Sequence, residues 1–486
     1  MSADTADTVH TQVEREAQFG VLPVLPSERV WSFFDFTWVN IGLAIATWAF
    51  LIGGSMAYFV DVKQGIAAAV IGNSVSVTLM ALATCAPSGK WGLEQYTALR
   101  SVLGRHGVKV IVFGWLLAIE IGWAAVLSIM FGRSTTHVVN EISKSDFGPN
   151  SGIVTVFAIV AIVTAWLVLA KGPVSIKWFN KIVAPGLFVI QLVMVVLLFK
   201  DHSWTEITAI KPLEPFDNKL LNFMIVVEFN LAAGFSWWPV MGSLARVTQT
   251  KRAAFWPNMI GLFGAAVIGE VVGLIAALSL GDSDPTVWMI PLGGAALGVL
   301  ALVWIAFANI TSIVSIIYST CLALKQVGGN ALARVSWTWL TGAFFVAPLI
   351  LTLRPGLIYD NFFQFLNWSG VAFAPLSAIY IADYFVFRRQ YIDLRAIYDT
   401  SRGSPYDFWR GWNPAGLIAL GVGSLTYIAL YNPVSLERYI PGFEYLSASM
   451  PAFVIAGIVY LVLTAMWVRR SGRGGYDLRH SRARSG

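Results

Sequence analysis

Three carboxylates lie inside stretches otherwise almost free of charge: Glu120, Glu228 and Glu270. A charge at the centre of a membrane-spanning segment costs at least ~2.5 kcal/mol on insertion scales, so each is a candidate for function. None has an arginine or lysine one helical turn away. Two chemistries fit. Such a carboxyl can take up a proton on one side of a membrane and release it on the other. Alternatively, ionised Glu120, three residues before Trp123, can pair with a cationic substrate, because an aromatic face and a carboxylate both attract positive charge. A hydrogen bond from a protonated glutamate to a neighbouring helix is the third outcome, and the one expected most of Glu270.

Other chemistry is poorly supplied. Cys85 and Cys321 are the only cysteines and sit in apolar surroundings, which gives neither a disulfide frame nor a thiolate metal site. His10, His106, His137, His202 and His480 are all expected in tails or loops, none beside a carboxylate at zinc spacing. With no paired aspartates and no nucleophile motif, no enzymatic activity, cofactor or metal is expected, apart from a coupling ion.

The elements that must position these residues are membrane helices. The 486 residues are 57% hydrophobic and 12% charged, against roughly 25% charged in a soluble chain. Runs such as 36–60, 153–169 and 453–468 approach or exceed the ~20 apolar residues that cross a bilayer as a helix. Twelve spans are expected, at 36–60, 65–86, 108–131, 151–170, 179–199, 220–241, 254–280, 291–323, 336–353, 357–387, 413–431 and 446–468. Residues 1–30 carry no apolar core and read as a polar tail rather than a secretory signal. With both termini cytoplasmic, 25 of the 33 Lys and Arg fall in or beside cytoplasmic segments, as the positive-inside rule requires of a bacterial inner-membrane protein. The same rule explains the net charge of +6 and the basic tail, 469–486, without nucleic acid. The segment 88–105 reads as a surface-lying amphipathic helix, and 390–398 as a similar element. A monomer is expected.

Spans one and six hold small and helix-breaking residues at matching places: Asn40, Gly42, Thr47, Gly53 and Gly54 in one, Asn230, Gly234, Ser236 and Pro239 in the other. Glycine costs about 1 kcal/mol and proline about 3 in a helix, so interruptions there are cheap. Each span opens a unit of five, and an odd number of spans turns the two units into opposite orientations. The expected plan is therefore an inverted repeat: a first half at 31–200, a second at 201–390, then a cytoplasmic loop and spans eleven and twelve at 391–468.

The run Ile381-Ala382-Asp383-Tyr384-Phe385, followed by Arg388-Arg389, Asp393-Leu394, Tyr398 and Tyr406 to Trp409-Arg410-Gly411, resembles the tenth-span terminus and following loop of nucleobase:cation symporter family one. Weaker similarity extends over most of 30–470. The resemblance implies an all-α membrane protein of about twelve spans with a LeuT-like 5+5 inverted repeat, importing cytosine, purines, hydantoins, allantoin or related compounds. It also implies a flat heterocycle held between aromatic side chains of spans three and six. Glu120-Ile121-Gly122-Trp123 resembles the span-three motif, with glutamate where glutamine is common; Gly234 and Phe235 match the span-six positions, and Trp237 is the reserve. An aromatic sandwich buries both faces of a planar ligand while polar groups at its edge select the hydrogen-bond pattern.

The sodium site implied by the family falls on Gly42 and Ile45 of span one with Ala308, Thr311 and Ser312 of span eight. Asn309 and Ser315 would supply polar substrate contacts, because 313–317 is nearly apolar where relatives carry asparagines. The resulting expectation is a sodium- or proton-coupled symporter of a nucleobase-like heterocycle. The alternative is a carrier of a cationic thiamine-like or guanidino compound recognised by Glu120 or Glu228; a passive channel comes third.

Overall fold

The computed structural model describes residues 22–169, 173–200 and 203–476. His10, His202 and His480, most of the N-terminal tail and the end of the basic tail lie outside the described residues.

The chain opens with α1 (Phe33–Ala44). Ser32 caps it: its hydroxyl accepts from Asp35 N at 3.2 Å and the Asp35 carboxylate accepts from Ser32 N at 3.0 Å, which satisfies two orphan donors of the first turn. At Ile45 (φ −90°, ψ 74°) and Ala46 (φ −130°, ψ 174°) the backbone leaves the helix. It resumes as α2 (Thr47–Met56), bent by 52° from α1. Unwound backbone inside a membrane protein needs partners. Side chains provide them here: the Trp48 indole donates to Leu43 O at 3.0 Å, and the Thr311 hydroxyl lies 2.9 Å from Gly42 O.

Then follow α3 (Val62–Ala83), the short α4 (Cys85–Trp91) and α5 (Gln95–Ala98), and α6 (Arg100–Val110), which runs through a wide π turn into α7 (Leu117–Ser143). Next come α8 (Gly152–Leu169), α9 (Pro173–Leu198), α10 (Lys219–Phe235), α11 (Trp238–Ala245), α12 (Lys251–Asn258), α13 (Ala266–Leu280) and α14 (Pro285–Val327). The chain ends with α15 (Trp337–Thr352), α16 (Phe362–Ile381), α17 (Pro414–Leu430) and α18 (Ser449–Leu463). Among the described residues nine helical runs are long and apolar enough to span a membrane, ten with the bent pair α1–α2. The expected ninth and eleventh spans, α15 and α17, have 16 and 17 residues, about 24–26 Å at 1.5 Å per residue.

Two layers position the site. In one, α2 lies along α13 and α3 along α10; in the other, α7 packs on α14, α8 and α15. The first layer approaches to backbone contact. A Cβ on Gly53 of α2 would overlap the carbonyl of Glu270 on α13, so only glycine permits this separation.

Three expectations are corrected. Span six is interrupted at Ser236–Trp237 but not sharply bent, because both residues keep right-handed helical angles (φ −62°, ψ −18° and φ −78°, ψ −8°) and the span continues into α11. The segment 88–105 does not lie on a surface: Ser88, Glu94, Gln95, Tyr96 and Thr97 are fully buried, with the Glu94 carboxylate capping α5 through Tyr96 N and Thr97 N, both at 2.9 Å. The Glu94 carboxylate thus serves a helix end rather than water. His106 and His137 belong to α6 and α7 and not to loops, because both helices extend past the apolar run by which the span was bounded.

Candidate functional site

Where α1 breaks, α2 begins against α7, α11 and α14, and a pocket forms lined by Trp48, Glu120, Trp123, Leu127, Ser236, Trp237, Val240, Ser312 and Ile316. Trp48 is the second residue of α2; the edge of its ring meets Trp237 with centroids 5.7 Å apart at 63°. Trp123 projects from α7, held edge-on by Phe362 and Phe365 of α16 at 5.7 and 5.5 Å. Such T-shaped contacts fix ring orientation as well as burying area. The polar edge is Glu120, fully buried, with neither carboxylate oxygen in a hydrogen bond; Ser312 Oγ is likewise buried and without a partner. Buried acceptors left unpaired cost about 1–3 kcal/mol each, more when charged, and Glu120 and Ser312 present three such oxygens beside one pocket. The cavity leaves about 10 Å³ of room for the centre of a water-sized sphere, enough for about one water, so a heterocycle enters only when the walls part.

The structure brings together Glu120, Trp123, Trp237 and Ser312 of the residues singled out from sequence. Phe235 is fully buried but does not line this pocket, and the reserve residue Trp237 does. Gly234 faces α3, where a Cβ would overlap Ser76 Oγ, so its smallness serves helix contact. Asn309 donates to Thr47 Oγ1 at 2.9 Å, tying α14 to the start of α2, and Ser315 donates to Thr311 O of its own helix at 3.0 Å. Neither lines the pocket. Trp48 and Ser236 were missed. A signal for Trp48 did exist: a break at Ile45–Ala46 presents the side chains of the first turn beyond it.

Next to the pocket, the Gly42 carbonyl in the last turn of α1 meets the Thr311 hydroxyl of α14. Thr311 Oγ1 lies 2.7 Å from Ala308 O and 2.9 Å from Gly42 O, and Ile45 is the C-cap residue of α1. Together with the unpaired Ser312 Oγ these are neutral oxygen donors of the kind a hard monovalent cation accepts in place of water. Ser312 lines the pocket and follows Thr311 in the chain.

The other two glutamates lie elsewhere. Glu228 of α10 accepts from Ala448 N at 2.9 Å, Ser449 N at 3.1 Å and Ser449 Oγ at 2.5 Å, which joins it to the N-terminus of α18. Glu270 of α13 accepts from Asn73 Nδ2 of α3 at 2.8 Å, and the same amide donates to Asn230 Oδ1 of α10 at 2.6 Å. Both therefore join helices away from the pocket. Two ion-pair clusters lie outside the pocket lining. At the start of α1, Asp35 meets Lys177 and Lys181 of α9 at 2.8 and 3.1 Å. In the other, Arg133 of α7 lies over the Tyr359 ring and meets Asp284 and Asp360 at 3.3 and 3.2 Å.

Residues 23–459 match the family model described as permease for cytosine/purines, uracil, thiamine, allantoin. The chain is 24% identical to a purine-uracil permease of Arabidopsis thaliana, over 97% of this chain and 82% of that protein. To a hydantoin permease of Microbacterium maritypicum it is also 24% identical, over 89% of each. Mhp1, a nucleobase-cation-symport-1 family transporter solved closed with bromovinylhydantoin bound, superposes with a TM-score of 0.75 at 18% identity, over 93% of this chain and 95% of that one. A Na+-coupled sialic acid symporter in a substrate-bound outward-open state gives 0.61 at 13% identity, over 92% of each chain.

Proposed function

This chain belongs to the permease family for cytosine/purines, uracil, thiamine and allantoin, and from that premise we propose that it imports a planar nitrogen heterocycle by cation-coupled alternating access through the pocket at the α1 break. The observation that carries the reading is the meeting of three indoles, one unpaired carboxylate and one unpaired hydroxyl at the point where a spanning helix is interrupted. The ligand lies against Trp123 on one side and the Trp48–Trp237 pair on the other, with Glu120, Ser236 and Ser312 reading its edge. Sodium is bound by the carbonyls of Gly42, Ile45 and Ala308 and the hydroxyls of Thr311 and Ser312. Because Ser312 serves both sites, filling one orders a wall of the other, and each ligand raises the affinity of the other by the same factor.

Alternating access follows from the two sets of ion pairs. In this reading the Asp35–Lys177–Lys181 cluster and the Arg133–Asp284–Asp360 cluster act as the two gates. Releasing one set opens one side. We place the α1 start and the basic segments on the cytoplasmic side of a bacterial inner membrane, and take the protein to act as a monomer.

The test is thermal stabilisation and uptake by purified protein across neutral bases, hydantoins, allantoin and cationic heterocycles, each in sodium or choline. A ligand that binds the native state raises its apparent stability. Trp123→Ala should weaken the best ligand by about tenfold or more, from lost stacking and lost burial together, whereas Phe235→Ala should leave affinity within about threefold. Equal losses from both variants would reject this pocket.

A further inference from the structure

Glu120 is the one charged side chain lining the pocket, and nothing lining it is a lysine, arginine or histidine. Both of its oxygens are buried without a partner, and three indoles surround the same space. A carboxylate offers two oxygens side by side, the complement of two parallel N–H groups in one plane. A diketo edge, carbonyl–NH–carbonyl, would instead turn two acceptors towards two acceptors. Indole faces carry negative quadrupole density and attract a delocalised cation. A buried carboxylate with no cationic neighbour is compensated when the ligand itself brings the charge.

We infer that the substrate is a flat cation whose edge carries two parallel N–H donors, an amidinium- or guanidinium-type edge such as that of a protonated aminopyrimidine, and that Glu120 grips this edge through both oxygens while Trp48, Trp123 and Trp237 enclose its faces. The inference rests on the reading of this pocket as the substrate site. One consequence is specificity by exclusion: a neutral imide loses on both charge and donor pattern, the kind of discrimination that buried polar groups achieve and apolar walls do not. Another is that the substrate contributes a positive charge to each transport cycle in addition to that of the coupling ion.

Three probes of similar size separate the components: benzamidine, a planar amidinium; N-methylpyridinium, a planar cation without N–H groups; and uracil, a neutral imide. Their affinities for full-length protein in detergent are measured by calorimetry, for wild type, Glu120→Gln and Trp123→Ala. The expected order on wild type is benzamidine over N-methylpyridinium over uracil, with at least ~10-fold between the first and last. Glu120→Gln should remove at least ~10-fold from benzamidine and leave uracil equal or improved. Uracil binding wild type as tightly as benzamidine overturns the inference and leaves the pocket assignment standing. N-methylpyridinium matching benzamidine overturns the paired N–H contact. If none of the three binds and Trp123→Ala also leaves uptake of the best ligand from the broader panel unchanged, the pocket assignment itself falls, and this inference with it. The order of the probes on wild type decides the matter even if Glu120→Gln fails to fold.

Discussion

Glu228 offers a test in which structural and transport roles predict opposite outcomes. Its carboxylate accepts three hydrogen bonds at the first turn of α18, from Ala448 N, Ser449 N and Ser449 Oγ, and the side chain is fully buried. The partner helix presents its positive end, so the carboxylate also meets the partial charge of the helix terminus. Glu228→Ala leaves two backbone donors buried and unpaired, at ~1–3 kcal/mol each, while the Ser449 hydroxyl can turn to another acceptor. With the lost helix-terminus interaction, the total comes to about 3–5 kcal/mol, the range found when one partner of a buried polar pair is removed. Glu228→Gln keeps one carbonyl oxygen in place and should cost about 1–2 kcal/mol. The assay is denaturant or thermal unfolding in detergent, run beside ligand affinity and proton flux in proteoliposomes. The expected result is a graded loss of stability, Ala well beyond Gln, with ligand affinity of the folded fraction within about twofold of wild type. Unchanged stability in both variants with abolished proton flux would refute the reasoning and restore Glu228 as a coupling carboxylate.

Two further outcomes follow from the same packing. Thr311→Ala should reduce sodium stimulation of ligand binding by roughly tenfold, the scale of one lost charge-oriented oxygen, while Thr311→Ser retains it; equal stimulation in all three proteins, measured by calorimetry at several sodium concentrations, would remove this hydroxyl from the cation site. Gly53→Ala should cost about 1–3 kcal/mol, because its Cβ overlaps the Glu270 carbonyl, whereas Gly148→Ala, with open space around it, should melt like wild type; identical melting of the two variants would contradict the close approach of α2 and α13.

The helical membrane fold was legible because apolar length and charge asymmetry are local properties of the chain. The break in span one was legible for a related reason, since Gly42 and the small residues after it make an interruption inexpensive, and the residues that satisfy the freed backbone follow as a physical requirement. Long-range partners were not legible. Glu228 and Ser449 are 221 residues apart, and nothing near either one announces the other. An isolated carboxylate in an apolar run therefore reads equally as a proton carrier or as a helix-joining group until its neighbour is known. Asn73 and Glu270, 197 residues apart, pose the same ambiguity.

The choice between Phe235 and Trp237 shows a second limit. Along an undisturbed α-helix, residues two apart point about 200° away from each other, so one of the pair faces the pocket and the other faces away. Which one depends on the accumulated rotation up to that point, and the loosened turn at Ser236–Trp237 changes that rotation by an amount no residue type specifies. Trp48 adds a constraint that could have decided it: the edge contact between Trp48 and Trp237 requires α2 and the start of α11 to face each other across the break. A broken helix is thus best read by asking which side chains flank the interruption and which face it from the neighbouring helices, because those side chains are held nearest the unwound backbone and form the walls of the space it opens.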